Sequence, residues 1–244
     1  MNGFLDIHSH ILPCVDDGAR NIDESLELLK IMKSQGITDV VATPHFYAAY
    51  DNLEDHLEKV KSAYLNLVSA AEGLNLPNIY LGNEVFYFHG IGKSESLKSL
   101  CINNSPFLLL ELPIYEISDS ILQDINELHN SLGIVPIIAH IERYSHSRGF
   151  KNLLKTIKNG AALAQLNASS VLDSDFKRIS KRLIKEGYIS FIATDTHSVD
   201  VRPPLLSDAL DEISKKFGED RKTMYIQNSQ KLLERFLNKN GQVL

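Results

Sequence analysis

The sequence predicts a single-domain α/β fold on a parallel sheet, closed as a barrel near the eightfold type. Three observations carry this. Short apolar runs alternate with helical patterns to make seven βα units. The apolar runs are nearly continuous, as in strands covered on both faces. No long linker, low-complexity tract or internal repeat divides residues 1–244. A doubly wound open sheet is the alternative.

FLDIH (4–8) reads as the first strand, ending with Asp6, His8 and His10. IDESLELLKIMKSQG (22–36) is an amphipathic helix that stops at a glycine. TDVVAT (38–43), IYLGNE (79–84) and FLLLEL (107–112) are the second, third and fourth strands. SDSILQDINELHNSLG (118–133) is a second amphipathic helix with a glycine stop. IVPIIAH (134–140), ALAQLN (162–167) and ISFIAT (189–194) complete the strands.

Composition excludes several classes. Hydrophobic residues make up 43% and charged residues 23%, an ordinary globular balance. A net charge of −6 and no Lys/Arg clustering argue against a nucleic-acid surface. The two cysteines, Cys14 and Cys101, form no disulfide framework. MNGFLDIHSH has no basic segment before an apolar run, so a signal peptide is not expected. No apolar run is long enough to span a bilayer. A cytoplasmic protein without a transmembrane segment is expected.

Reactive residues of a parallel α/β fold sit at the C-terminal ends of strands. That rule gathers His8, His10, His45, His140 and His197 on one rim with Glu84, Glu111 and Asp195. Asp16 and Asp17 follow the first strand, Glu142 and Arg143 follow the fifth, and Asn167 ends the sixth. His56, His89, His129 and His146 fall in helices or loops and carry no assigned role. A single strand-end histidine is usually structural. Five with several carboxylates would repel or go unsatisfied without a cation. His8 and His10 point the same way on a strand, and Asp195 and His197 repeat the spacing. Imidazole with carboxylate suits Zn²⁺, Mn²⁺ or Fe²⁺. The donors exceed one coordination sphere, so two or three ions are expected, with Glu84 a candidate bridge.

DIHSHILPCVDDGA, ATPH, the strand-end Glu84, IAHIERY and TDTHSVDVRPP resemble the PHP (polymerase and histidinol phosphatase) superfamily. Within it they are most similar to the bacterial protein-tyrosine phosphatases of capsule and exopolysaccharide synthesis. The resemblance spans nearly the whole chain, and HIERY with DxHxxxxRPP is specific to that branch. It implies a distorted (β/α)7 barrel with three ions, usually Mn²⁺ or Fe. It places His8, His10, Glu84 and Asp195 on the first ion; Glu84, Glu111 and His140 on the second; and Asp17, His45 and His197 on the third. The choice of Asp17 over Asp16 rests on it alone. It further implies Arg143 and Arg202 as phosphate-binding arginines, and the phosphotyrosine tail of a bacterial tyrosine kinase as substrate.

CVDDGAR (14–20) also matches Cys-x5-Arg, the minimal signature of a cysteine phosphatase loop. Such a loop cradles phosphate with backbone N–H groups around a thiolate. Asp16 and Asp17 would repel the phosphate and raise the thiol pKa, and Asn21 supplies no hydroxyl. The match is read as accidental, with Cys14 expected as a small packed residue.

The function expected is therefore metal-assisted phosphomonoester hydrolysis, with Arg143 and Arg202 neutralising the phosphate. Asp195 and His197 are the candidate proton donors. Phe46, Tyr47, Tyr50, Phe86, Tyr87, Phe88, Tyr115 and Tyr144 either pack in loops or line a cleft for a phenyl ring. The alternatives are a histidinol-phosphate or other small-molecule phosphatase and, in a different class, a non-catalytic metal-binding module.

Overall fold

A computed structural model describes residues 3–238 of the chain. Strand β1 (Phe4–Ser9) pairs with β2 (Ile37–Ala42), which pairs with β4 (Asn78–Leu81). A second sheet runs in the order β3 (His45–Phe46), β5 (Glu84–Phe86), β6 (Phe107–Glu111), β7 (Val135–Ile138), β8 (Leu163–Asn167) and β9 (Phe191–Ala193). All pairings between these strands are parallel.

The third expected strand, 79–84, is therefore two strands, and the second gains a continuation at His45. Pro44 lacks an N–H, and Gly82 sits where even a Cβ would crowd Val41 and Ile102. The ladder nevertheless crosses the break. Gly82 N–H donates to Ala42 O at 2.9 Å and Glu84 N–H donates to Pro44 O at 3.0 Å. Beyond β9, Asp195 N–H donates to His8 O at 2.9 Å, and His10 N–H to Thr196 O at 2.8 Å.

The chain turns polar at the C-terminal ends of β1 and β6 and just beyond β7 and β9, at His8, Glu111, His140 and Asp195. One sheet face buries Leu5, Ile7, Val41, Tyr80, Leu109, Ile137, Phe191 and Ala193 in a shared cluster. Two residues further along the same face come Glu111 on β6 and Asp195 after β9, as the period of two requires. A register shift between Asp6 and Ser9 interrupts β1 as it approaches His8 and His10.

The other face packs against helices: α1 (Ile22–Ser34), α2 (Leu53–Ala71), α3 (Asp119–Leu132), α4 (Phe150–Lys158), α5 (Ala168–Leu172), α6 (Lys177–Glu186) and α7 (Leu206–Phe217). Their ends follow local chemistry. Asn21 caps α1 by accepting from Glu24 N–H, Ser118 caps α3, and Gly133 ends α3 at φ 66°. The last helix, α8 (Glu219–Asn238), covers the N-terminal ends of the strands. Its Phe236 ring meets Tyr80 at 5.2 Å, and its Asn228 donates to Ser190 O at 3.0 Å. The opposite, C-terminal end is left open for chemistry.

Asp6 ties β1 to β9. Its carboxyl is fully buried and accepts from Thr194 N–H at 3.0 Å and Thr194 Oγ1–H at 2.5 Å. Burial outweighs these bonds and pushes its pKa up to about 6. Between the ordinary aspartate value and about 6 the folded state holds a proton that the unfolded chain releases. Asp6 therefore makes stability fall as pH rises through that window. Thr194→Val removes a bond that favours the ionised form. It should cost about 1–3 kcal/mol, and more at pH 7.5 than at pH 5. Urea melts of both proteins at the two pH values measure this; an equal loss at both would refute the role given to Thr194.

Candidate metal centre

The centre is built on Glu84, first residue of β5 and 1% exposed. Its Oε2 lies 3.2 Å from His8 Nε2, 3.3 Å from His10 Nε2 and 3.1 Å from His45 Nδ1. Its Oε1 lies 2.9 Å from His140 Nε2, and Glu111 approaches that same nitrogen at 3.5 Å. Asp195 Oδ1 lies 3.3 Å from His8 Nε2 and 3.6 Å from His10 Nε2. Asp17, largely exposed, brings Oδ1 to 3.4 Å from His45 Nε2 and 3.3 Å from His197 Nε2.

Three groups of donors converge closely enough to share ions: His8, His10 and Glu84; His45, Glu84 and Glu111; and His10, Asp17, His45 and His197. His10 and His45 stand in two groups each, where the family-based partition gave each a single ion. His140 meets Glu84 directly and Asp195 meets His8 and His10, but both lie outside all three groups.

Two strand-end residues, His140 (φ 32°) and Asp195 (φ 51°), adopt left-handed backbone conformations. A one-residue departure from extended backbone aims each side chain inward, and such strain collects at functional sites.

The ring nitrogens are oriented from behind. His8 Nδ1 donates to Gln165 Oε1 at 3.2 Å, His10 Nδ1 to Asp16 Oδ2 at 2.7 Å and His197 Nδ1 to the Asp195 carbonyl at 3.1 Å. Each partner is an acceptor, so Nδ1 carries the proton and Nε2 faces the centre, the arrangement of a metal-binding imidazole. The Gln165 oxygen also accepts from His140 N–H at 2.7 Å, which fixes which way its amide points. The Gln165 amide nitrogen donates to Asn167, and Asn167 donates to Asp195 Oδ2, both at 2.7 Å. Asp16 and Gln165 are the positioning residues that sequence reasoning left unassigned. The strand-face period places Gln165 inward; nothing in the sequence separates the roles of Asp16 and Asp17.

The donor set fits cations. His8 Nε2 and His10 Nε2 face each other at 3.2 Å, and at least one needs a different partner. His45 Nδ1 and His197 Nε2 are buried without a hydrogen bond, although carboxylate oxygens stand near both. Protons compete for the same atoms. Burial disfavours a charged His10, but Asp16 and Glu84 outweigh it and raise its pKa to about 10. Burial also opposes ionisation of Glu84, yet His8, His10, His140 and His45 hold it well below the carboxylate range. Burial and Glu84 push Glu111 up to about 7, while burial and His10 push His197 down to about 3. Cation binding must displace the protons of this network.

Arg143 and Arg202 stand at the mouth. Each sends Nη2 to Asp195 Oδ2, at 2.9 Å and 2.6 Å. The Arg202 loop is folded back because its carbonyl accepts from Thr196 Oγ1–H and His197 N–H.

The cysteine loop does not form a phosphate cradle. Cys14 N–H and Ala19 N–H are spent on Ala19 O and His10 O, and Gly18 N–H on Asp16 Oδ1. Arg20 is paired with Glu24. Cys14 is exposed rather than packed, at φ 59°, with Sγ donating to Arg20 O. The aromatic candidates also divide. Phe46 and Tyr144 are buried, Tyr87 donates its hydroxyl to Asp124 at 2.7 Å, and Phe88 packs on the core. Tyr47 remains at the site, its ring 5.3 Å from His45 and 5.7 Å from Phe86.

Residues 4–234 match the family model described as capsular polysaccharide synthesis, CpsB/CapC. The chain is 36% identical over 235 residues to the putative tyrosine-protein phosphatase CapC of Staphylococcus aureus, covering 94% of this chain and 91% of that one. It is 32% identical over 247 residues to the tyrosine-protein phosphatase CpsB of Streptococcus agalactiae serotype III, covering 94% and 98%. Among solved structures it is similar, with a TM-score of 0.81 and 27% identity, to a chain from the work on YwqE of Bacillus subtilis and CpsB of Streptococcus pneumoniae. Those proteins are described as unique metal-dependent tyrosine phosphatases, and the match covers 95% of this chain and 94% of that one.

Mn²⁺ at about a hundredfold over its Kd should add roughly 2.7 kcal/mol to the metal-stripped protein, or about 5–10 °C in Tm. Glu84→Gln should abolish the shift. Gln165→Leu should weaken the apparent affinity at least about tenfold by freeing the His8 ring. Thermal melts against Mn²⁺ concentration read all three, and an unmoved wild-type Tm would remove the centre.

Proposed function

The chain belongs to the CpsB/CapC family of capsular polysaccharide synthesis, and on that premise we propose that it is a metal-dependent protein-tyrosine phosphatase acting in capsule or exopolysaccharide synthesis. On this reading it is cytoplasmic, uses Mn²⁺ and hydrolyses phosphotyrosine on a protein substrate, the tail of a bacterial tyrosine kinase. The interrupted strands read as a distorted (β/α)7 barrel: β2 with β3 and β4 with β5 count once each, and the bonds between β1 and residues 195–196 close the ring.

The observation that carries the reading is the two-sided environment of Asp195. Oδ1 faces the imidazoles, while Oδ2 collects Arg143, Arg202 and Asn167. Two guanidiniums beside a cluster of cation-binding donors suit a dianionic phosphate, which needs both.

His8, His10, Asp17, His45, Glu84, Glu111, His140, Asp195 and His197 would hold the ions, with Glu84 shared between groups. Bound ions supply Lewis acidity to the phosphoryl oxygens and lower the pKa of the attacking water. The chain's own residues do the rest. Gln165 and Asp16 keep His8 and His10 aimed inward. Arg143 and Arg202 each use one Nη2 on Asp195 and offer their remaining N–H groups to phosphate oxygens. Tyr47 and Phe86 form a wall for the ring of the substrate.

Neither Asp195 nor His197 is placed to give up a proton. Asp195 Oδ2 accepts three hydrogen bonds, and His197 Nδ1–H is anchored to a carbonyl. The leaving oxygen must therefore depart with little protonation. A phenol, with pKa about 10, does so far more readily than an aliphatic alcohol. Aryl phosphates are the substrates this site favours.

The test is a chelation and substrate series. Chelation should abolish activity and Mn²⁺ restore it, Cys14→Ser should keep most of it, and phosphotyrosine peptides should be cleaved much faster than phosphoserine peptides or histidinol phosphate. A dead Cys14→Ser with chelators inert would move the chemistry to the thiol; a preference for alkyl esters would move the substrate to the small-molecule class. Arg143→Ala and Arg202→Ala should each lose about ten- to a hundredfold in kcat/KM with metal content retained, as expected for a charge-assisted bond of about 1.5–3 kcal/mol. Wild-type kinetics in both would remove the clamp.

A further inference from the structure

Two cavities open at the mouth and meet at Asp17. The larger, about 570 Å³, runs from His45 past Tyr47 and Tyr50 to Asp51, Asp55 and Lys59. The smaller, about 300 Å³, runs from His197 past Arg202 to Arg20, Asp200 and Val201. Asp17 Oδ1 sits between His45 and His197, so the candidate centre lies at the divide.

We infer that these cavities form one groove for an extended segment of protein chain, with phosphotyrosine entering at Asp17 and its flanking residues lying to either side. The inference rests on the phosphatase reading and deepens it: the substrate is recognised as a chain and not only as a phosphorylated ring.

The rims support this occupant. Tyr50 is 89% exposed and Val201 84%, and each borders one cavity. Ile114 and Tyr115, at 50% and 91%, stand on the loop after β6. These four lie on the loops that follow β3, β6 and β9, the strands that hold His45 and Glu111 and lead into Asp195. The other strongly exposed large apolar side chains among the described residues lie on or just after α2 and on α8. Tyr50 and Val201 border the two cavities that meet at Asp17, so a chain laid across the mouth would cover both. A free aryl phosphate has no flanking residues to lay along the cavities. An extended chain, at about 3.3 Å per residue, runs past both within a few residues of the phosphotyrosine.

Charge narrows the flank. The larger cavity is lined by Asp16, Asp17, Asp51 and Asp55 against one lysine, Lys59, whose ammonium donates to Val15 O at 2.6 Å. It takes a neutral or basic flank.

The experiment compares kcat/KM for a nine-residue phosphotyrosine peptide with neutral and lysine flanks against phenyl phosphate, using the Mn²⁺-loaded protein. The peptide should exceed phenyl phosphate in the wild type. Tyr50→Ala and Val201→Ala should each lower the peptide-to-phenyl-phosphate ratio about fivefold, through KM, and the pair should lower it further. Leu74→Ala, a comparably apolar exposed site beyond α2, should leave the ratio unchanged. A ratio within twofold of wild type in both groove variants overturns the groove and leaves the phosphatase reading standing. So does a fall in kcat shared equally by both substrates. A wild-type protein inactive on both substrates overturns the phosphatase reading, and the groove falls with it.

Discussion

One buried carboxylate governs this protein. Glu84 touches four imidazoles at 2.9–3.3 Å, on side chains from β1 and the residue after it, from β3 and from just beyond β7. An ionised carboxylate cannot be buried without compensating charge, and in its surroundings only protonated histidines or cations provide it. Strands far apart in sequence must therefore end together. The unbroken ladder across Pro44 and the bonds from β1 to residues 195–196 are the backbone means of holding them there.

The apolar and polar halves of the structure depend on each other. The strands are buried and apolar at the end covered by α8, which gives the fold its rigidity. Their polar ends can then afford strain at His140 and Asp195, because packing and hydrogen bonds over-determine those positions. Gln165 shows the coupling in one side chain: a single amide orients His8, receives the His140 backbone and, through Asn167, reaches Asp195. A donor set held this way is preorganised.

The loop carrying Cys14 illustrates why a spacing motif is weak evidence. Cys-x5-Arg is present, but its amides are consumed by a turn that closes on His10 and its arginine by an ion pair on α1. The same turn instead delivers Asp16 to His10 and Asp17 to the mouth. The loop serves the metal-type centre and not a thiolate.

By itself the sequence determined the parallel α/β class, the order of strands and helices, and which end of each strand is polar. These follow from local periodicity and from the rule that strands buried on both faces are apolar. His8, His10, Glu84, Glu111, His140 and Asp195 were legible for the same reason: each is a polar residue where an apolar run stops. Only the tertiary structure decided the rest. The strand breaks at Pro44 and Gly82 depend on contacts with neighbouring strands. The work of Asp16 and Gln165 depends on partners 6 and 157 residues away. Burial separated Tyr144 and Phe46 from Tyr47, and exposure placed Cys14 in solvent. Periodicity is a property of neighbouring residues, whereas hydrogen-bond partnership and burial arise only when distant segments share a surface.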